Sequence, residues 1–237
     1  MHLLRLKNVP IFEQLQLEEA LLRLDERDIC IVNEGSPPAI VMGISGQASA
    51  LIDEEKLSDD PIPVIKRFSG GGTVVVDEET LFISFLCQSD SHPFAPYPEP
   101  IMRWTEEIYK EAFALPNFQL KENDYVIGEK KCGGNAQYLR KQRWLHHSTF
   151  LWDYKKSRMD LLLHPKRTPK YREKRSHEEF ITRLSEHLPS KEEFIQRFLE
   201  VLDRRHPLTE LSLDAALSLL DQPHRQSTVK VPVESLL

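Results

Sequence analysis

Lys66-Arg67-Phe68-Ser69-Gly70-Gly71-Gly72-Thr73-Val74-Val75-Val76 is the stretch on which the reading of this chain turns. Three consecutive glycines remove three Cβ atoms and open positive φ, so backbone there can lie directly against a ligand. Arg67 beside them offers a planar fork of donors suited to phosphate or carboxylate. A β-branched run follows at once, so this is not a dinucleotide fingerprint, which would open a helix. The Gly-Lys-Ser/Thr ending of a phosphate loop is also missing. A plain hairpin loop or bulge is the competing reading of such a cluster. Residues 73–76 and 81–87, divided by the polar turn 77–80, predict a β-hairpin.

Upstream of that loop, Asn8 and Pro10 mark a helix entry, and Ile11, Phe12, Leu15, Leu21 and Leu22 supply the apolar face of a helix over 11–24. Residues 29–33 and 39–44 read as strands separated by Glu34-Gly35-Ser36-Pro37-Pro38, and 63–67 as a third. Downstream, 93–100 is a proline-rich connector, and Ile101, Trp104, Ile108 and Ala112 give helical periodicity to 101–115. From 125 to 154 the pattern is short strands with tight glycine turns, the clearest strand being 144–152. Residues 166–175 are basic and proline-rich, suited either to docking an acidic partner or to a solvated linker. Ser176 with Glu179 reads as a capping box opening a helix over 177–187, and a further helix covers 191–204. The polar tail beyond 221 is expected to fray. Strands mixed with a few helices, without strict alternation, give an α+β fold: mixed β-sheets flanked by helices. The expected division is a catalytic domain over 1–205 and a C-terminal extension over 206–237, with no full accessory domain.

The 237 residues carry a formal net charge of −6, which argues against a nucleic-acid-binding surface. No stretch approaches the roughly 20 apolar residues of a membrane span, and residues 1–7 lack the apolar core of a secretory signal. A cytoplasmic protein is expected. Cys30, Cys87 and Cys132 are far apart, with no close pair of the kind that makes a zinc or dithiol site; Cys30 and Cys87 lie inside apolar runs and read as small buried hydrophobes.

A second segment also calls for chemistry: Asn123-Asp124-Tyr125-Val126-Ile127-Gly128-Glu129-Lys130-Lys131-Cys132-Gly133-Gly134-Asn135-Ala136-Gln137. A lysine beside a glycine pair suggests a cation held near a close-packed backbone turn, able to neutralise phosphate or polarise an acyl carbonyl. Solvated turn lysines are the alternative. His146 and His147 follow on a predicted strand, where they must face opposite sides; at most one can reach a site, and together they cannot chelate a metal.

In this order and spacing the segments resemble the catalytic domain of the lipoate-protein ligase A family, over about residues 10 to 155. The resemblance rests on Arg67 to Val74 with Asp77 beyond it, on Asn123-Asp124, on Lys131 ahead of Gly133-Gly134-Asn135-Ala136, and on Leu145-His146-His147-Ser148-Thr149. The helix bearing Glu18-Glu19 and the stretch Val41-Met42-Gly43 also fall into place. The resemblance implies that lipoate and ATP, with Mg2+, give a lipoyl-adenylate whose acyl group passes to a lysine of a lipoyl domain or H-protein. It implies that Lys131 contacts the acyl carbonyl and the α-phosphate, and that Arg67, Gly72, Thr73, Val74 and Val75 line the nucleotide and acyl pocket. Ser69, Gly70, Gly71, Asp77, Asn123 and Asp124 complete the binding set with Gly133, Gly134, Asn135, Ala136, His147 and Thr149; no residue is assigned to a protein-bound metal. The sequence departs from the family at Lys66, Glu79-Thr80 and Ser148. Little chain remains after about residue 205, and short ligases of this kind can need a separate partner to activate the acid. The rival readings are an octanoyl or lipoyl transferase working through a cysteine thioester, and a non-catalytic lipoate-binding protein.

Overall fold

The structure, a computed structural model, describes residues 1–163 and 168–232. The chain runs β1 (His2–Lys7), α1 (Ile11–Leu24), β2 (Ile29–Glu34), β3 (Ala39–Met42), α2 (Glu54–Asp59), β4 (Val64–Lys66), β5 (Val74–Val76), β6 (Thr80–Gln88), α3 (Pro98–Phe113), β7 (Phe118–Lys121), β8 (Asp124–Ile127), β9 (Lys130–Leu139) and β10 (Arg143–Leu151). Then follow α4 (Lys156–Met159), α5 (His177–Phe180), α6 (Lys191–Arg205), β11 (Thr209–Glu210), α7 (Leu213–Leu217) and β12 (Val229–Val231). Eight strands form a mixed sheet in the order β11-β1-β2-β6-β10-β9-β8-β7, and four form a second in the order β12-β4-β3-β5. The α+β architecture expected from the sequence is the one observed.

β6 shows why the large sheet needs helices on both faces: eight of its nine residues are buried, so it carries an apolar run rather than an alternating one. Its odd positions Leu81, Ile83, Phe85 and Cys87 pack with α3 and α6 in the main core, whereas Leu86 packs with Leu17, Leu21 and Leu22 of α1. That period-two division of side chains between two helical layers is what fixes the register. A smaller core fills the second sheet with Ile40, Met42, Val64 and Val75.

Four expectations are corrected. The hairpin over 73–87 does not form: β5 pairs with β3, while β6 pairs with β2 and β10. The turn between them carries the chain from one sheet to the other, held by Asp77 N–H to Thr80 Oγ1 (3.0 Å) and Gly35 N–H to Thr80 O (3.0 Å). The glycine pair Gly133-Gly134 is not a turn but lies inside β9. The capping box at Ser176 and Glu179 is present, but the helix ends at Phe180. Ile181 is extended there, and Thr182 N–H donates to Lys131 O at 2.8 Å, so pairing with β9 replaces a further helical turn. Nor does the described tail fray: β12 pairs antiparallel with β4. Glu19 Oε2 takes the N–H groups of Ser227 (2.8 Å) and Thr228 (3.1 Å). Of the basic run 166–175, Lys166 and Arg167 lie outside the described residues. Among the described residues no helix is long and apolar enough to cross a membrane.

Candidate functional site

A cleft of about 1120 Å³ opens between the two sheets. Among the segments that line it are α1, the loop between β4 and β5, β9, β10 and the segment before α5. Arg67, Gly70, Gly71, Gly72, Thr73, Val74 and Val75 line it, as do Asn123, Asp124, Lys131, Gly133, Gly134, Asn135, Ala136, His147 and Thr149. Two predicted site residues do not. Ser69 is fully buried, beneath the glycine loop. Asp77 sits in the inter-sheet turn, where it receives Glu79 N–H (2.9 Å) and pairs with Arg158 (2.9 Å). It marks the crossover between the sheets, not the wall of the cleft.

The glycine loop is built around Arg67. Nη2 donates to Gly70 O (2.8 Å) and Gly72 O (2.9 Å), and Nε donates to Ser69 Oγ (3.1 Å). The guanidinium is thus spent on holding the loop's carbonyls rather than presented as a free fork. Gly71, at φ +110°, would place a Cβ 2.7 Å from Arg67 Nη2, whereas a Cβ at Gly70 or Gly72 would meet only open space. The loop therefore offers bare backbone to the cleft. Burial lowers the Arg67 pKa to about 10, against the opposing pull of the Glu18 carboxylate.

Glu18 is the residue that sequence reasoning left out of the site. It is fully buried, accepting from Gln14 Nε2 (2.8 Å), Ser84 Oγ (2.6 Å) and His147 Nδ1 (3.0 Å). Burial pushes its carboxyl up, but His147 and these hydrogen bonds together outweigh it and hold the group below its usual value. His147 gives Nδ1–H to Glu18 and sets its Nε2 3.0 Å from Ser69 Oγ. A hydrogen-bonded chain thus links Arg67, Ser69 and His147 to a buried carboxylate. The available signal was a glutamate at a position that the apolar face of α1 would claim.

Its neighbour His146 turns the other way, as strand alternation requires. It is buried with Tyr125 Oη (2.9 Å) and Ser148 Oγ (3.1 Å), and burial lowers its pKa to about 3. Gln137 Nε2 donates to Nδ1 at 2.9 Å, which places the ring proton on Nε2.

On the opposite wall, Lys131 Nζ is 2.7 Å from Asp124 Oδ1. The β8–β9 register explains its aim: Val126 pairs with Lys131 but Tyr125 with Gly133, leaving Cys132 as an extra residue in a bulge. The bulge lets Cys132 and Gly133 both face the core, while Lys131 and Gly134 both face the cleft. A Cβ on Gly133 would strike Phe150 at 2.5 Å, and one on Gly134 would lie 3.2 Å from Lys131 Nζ. The glycine pair thus serves packing on one side and the lysine's path on the other. Cys132 is buried, its thiol donating to Tyr125 O (3.4 Å), and burial pushes the thiol pKa up. Asp124 also accepts from Tyr171 Oη at 2.8 Å, and Arg172 and Phe180 join the rim. In sequence this segment has the composition of a linker or docking run; the long-range contact of Tyr171 with Asp124 has no local signature.

One end of the cleft is apolar, walled by Ile11, Leu15, Val41 and Phe82; the other presents the Lys131 cation, Asn123 and the open glycine backbone. The three carboxylates lining it, Glu18, Glu122 and Asp124, are each already engaged by protein donors. The arrangement suits an elongated acyl chain whose polar end carries negative charge.

The chain is similar to known proteins in sequence and in fold. The chain is 28% identical to inactive lipoate–protein ligase 2 of Plasmodium falciparum, in a match covering 72% of this chain and 60% of that protein. It is 29% identical to lipoate-protein ligase LplJ of Bacillus subtilis, over 59% of this chain and 42% of that one. The chain therefore spans about half the length of these relatives. A crystal structure of lipoate-protein ligase A bound with ATP superposes with TM-score 0.73 at 19% identity, covering 93% of this chain and 94% of that one. A bipartite lipoate protein ligase described with its E2 lipoyl domain, from Thermoplasma acidophilum, gives 0.74 at 20%, covering 93% and 92%. The family description "Lipoyl protein ligase A/B catalytic domain" matches residues 10–203, and the chain belongs to that family.

Proposed function

We propose that this chain binds a lipoate-like carboxylic acid as its acyl-adenylate and passes the acyl group to a lysine of a lipoyl domain or H-protein. The observation that carries this reading is the Lys131 ammonium, anchored by Asp124 in the same cleft as the uncovered backbone of Gly70 and Gly72. In the activating step a carboxylate oxygen attacks the α-phosphorus of ATP and pyrophosphate leaves. In the transfer step the acceptor amine attacks the acyl carbonyl, AMP leaves, and the amine proton goes to solvent or to a neighbouring base. Lys131 stabilises the charge that develops on the carbonyl and phosphate oxygens, a fixed donor needing no reorganisation. The apolar wall of Ile11, Leu15, Val41 and Phe82 holds the acyl chain and keeps water from the anhydride. Since the carboxylates of the cleft are taken, Mg2+ would arrive with the nucleotide, held mainly by its phosphates.

The acid-activating step belongs either to this chain or to a separate partner, a division supported by the bipartite ligase that shares the fold. One experiment covers both. The protein is incubated with an apo lipoyl domain and either lipoate, ATP and Mg2+ or preformed lipoyl-adenylate, and the acceptor is weighed by mass spectrometry. A lipoyl mass gain with the adenylate supports transfer, and a gain with ATP adds activation; no gain in either arm removes the proposal. The Plasmodium relative described as inactive favours one second reading, a binder without turnover. Calorimetric binding of lipoyl-adenylate without transfer would select it. A thioester route has no geometric support, because Cys30, Cys87 and Cys132 are all buried.

A further inference from the structure

At the end of β6 remote from the cleft, three side chains from separate parts of the chain converge. Asp28 precedes β2, Cys87 is the penultimate residue of β6, and His92 lies in the loop beyond; one ligand atom from each falls within 4.8 Å of the others. His92 is only 8% exposed, yet neither ring nitrogen has a hydrogen-bond partner. Its ring is boxed by Trp104 (centroids 4.8 Å), Phe94 (5.3 Å), Trp144 (5.4 Å) and His206 (5.5 Å). Buried imidazoles ordinarily find a partner, and one left without any, facing a thiol and a carboxylate, is the signature of a missing ligand.

We propose that Asp28, Cys87 and His92 form a binding site for a zinc ion that ties the entry of β2 to the end of β6. The donor set is one sulfur, one nitrogen and one oxygen, the mixture this borderline-soft ion takes in tetrahedral sites, with a water for the fourth position. A thiolate and a carboxylate balance two positive charges, so the filled site is neutral in a low-dielectric setting. Metal entry breaks the S–H bond of Cys87, forms a Zn–S bond and releases that proton to solvent. Arg143, the nearby cation, pairs with Gln88 across the strands while Trp144 pairs with Cys87, and its Nη2 donates to Arg27 O (2.9 Å); its charge reaches Cys87 and Asp28. This site is independent of the chemistry in the cleft.

The test uses the full chain, stripped with chelator and free of nucleotide, titrated with Co2+ and separately with Zn2+. One equivalent of Co2+ should give a near-ultraviolet thiolate-to-cobalt band, and Zn2+ should displace it, release a proton and raise the melting temperature. Cys87→Ser and His92→Asn should lose the band and weaken zinc binding by more than about tenfold, the scale reached even by outer-shell partners; Cys30→Ser should keep both. Circular dichroism checks that the variants fold. Absence of the band and of retained zinc in the wild type overturns the proposal, as does a band that survives in Cys87→Ser. Should both ligand variants fail to fold, the wild-type titration and Asp28→Asn decide it: a wild-type thiolate band that Asp28→Asn weakens supports the site, and one that it leaves unchanged overturns it.

Discussion

Two charged side chains at the cleft are held by opposite means, and each predicts a different behaviour on mutation. Lys131 is partly open, with a side chain 26% exposed and a single carboxylate anchor. Its removal should cost catalysis more than stability. Lys131→Ala is expected to lower acyl transfer by about 100- to 1000-fold, the range for losing one preorganised donor, with an unchanged melting temperature; steady-state transfer to a lipoyl domain checks it. Glu18, by contrast, is closed off and bonded to three side chains. Its pKa is lower folded than unfolded, so its contribution to stability is fully present above the ordinary glutamate value of 4.5 and is lost as pH falls through the folded value. Glu18→Gln should therefore melt below wild type at pH 7, with the gap closing under acid. His146, lowered to about 3, works over a higher range: the unfolded ring takes a proton below 6.5 while the native one does not. Stability should already begin to fall as pH drops through 6.5, and His146→Gln should flatten that part of the profile. Lys131 was legible in the sequence because a lysine next to paired glycines is a local pattern. The role of Glu18 was not, since it depends on His147, far along the chain.

At the scale of elements, β9 carries the sharpest contrast. Its two glycines are adjacent, yet the bulge at Cys132 gives them different tasks, and substitution should separate the tasks. Gly133→Ala drives a methyl into Phe150 and should destabilise the fold by about 1–3 kcal/mol, the usual cost of overpacking. Gly134→Ala meets only the flexible end of Lys131; it should leave the melting temperature nearly unchanged and reduce transfer by displacing the ammonium. Equal losses of stability in the two variants, measured by denaturant titration, would refute this division. The helices and strands themselves were readable from periodicity and turn residues: α1 and the long strand β10 fall within about a residue of expectation. The partner of β5 was not. A short turn between β-branched runs looks the same in one-dimensional pattern whether the runs pair with each other or leave for different sheets. β6 is already flanked by β2 and β10, which leaves β5 no edge to join.

Across the whole molecule, the last described stretch binds the two sheets together: β11 extends the large sheet, Leu211 and Ala216 join the α1 core, and β12 closes the small sheet. Deleting residues 226–237 removes two N–H donors from the buried Glu19 carboxylate and bares the edge of β4. We expect a lower melting temperature and faster proteolysis within the small sheet; an unchanged melting curve would show that the strap contributes nothing. What the amino-acid sequence determined unaided were those features carried by near neighbours: the α+β class, most element positions, the glycine loop and the lysine beside Gly133-Gly134. Only the tertiary structure decided that Arg67 is spent on its own loop, that Asp77 stands outside the cleft, that Glu18 lines it and Tyr171 braces Asp124 at its edge, and that Asp28, Cys87 and His92 meet elsewhere. The reason is physical. Hydrophobic period and backbone preference act over a few residues and leave a record in the order of side chains. Contacts between distant segments are settled by competition among packing partners and hydrogen-bond edges, which exists only once the chain has closed on itself.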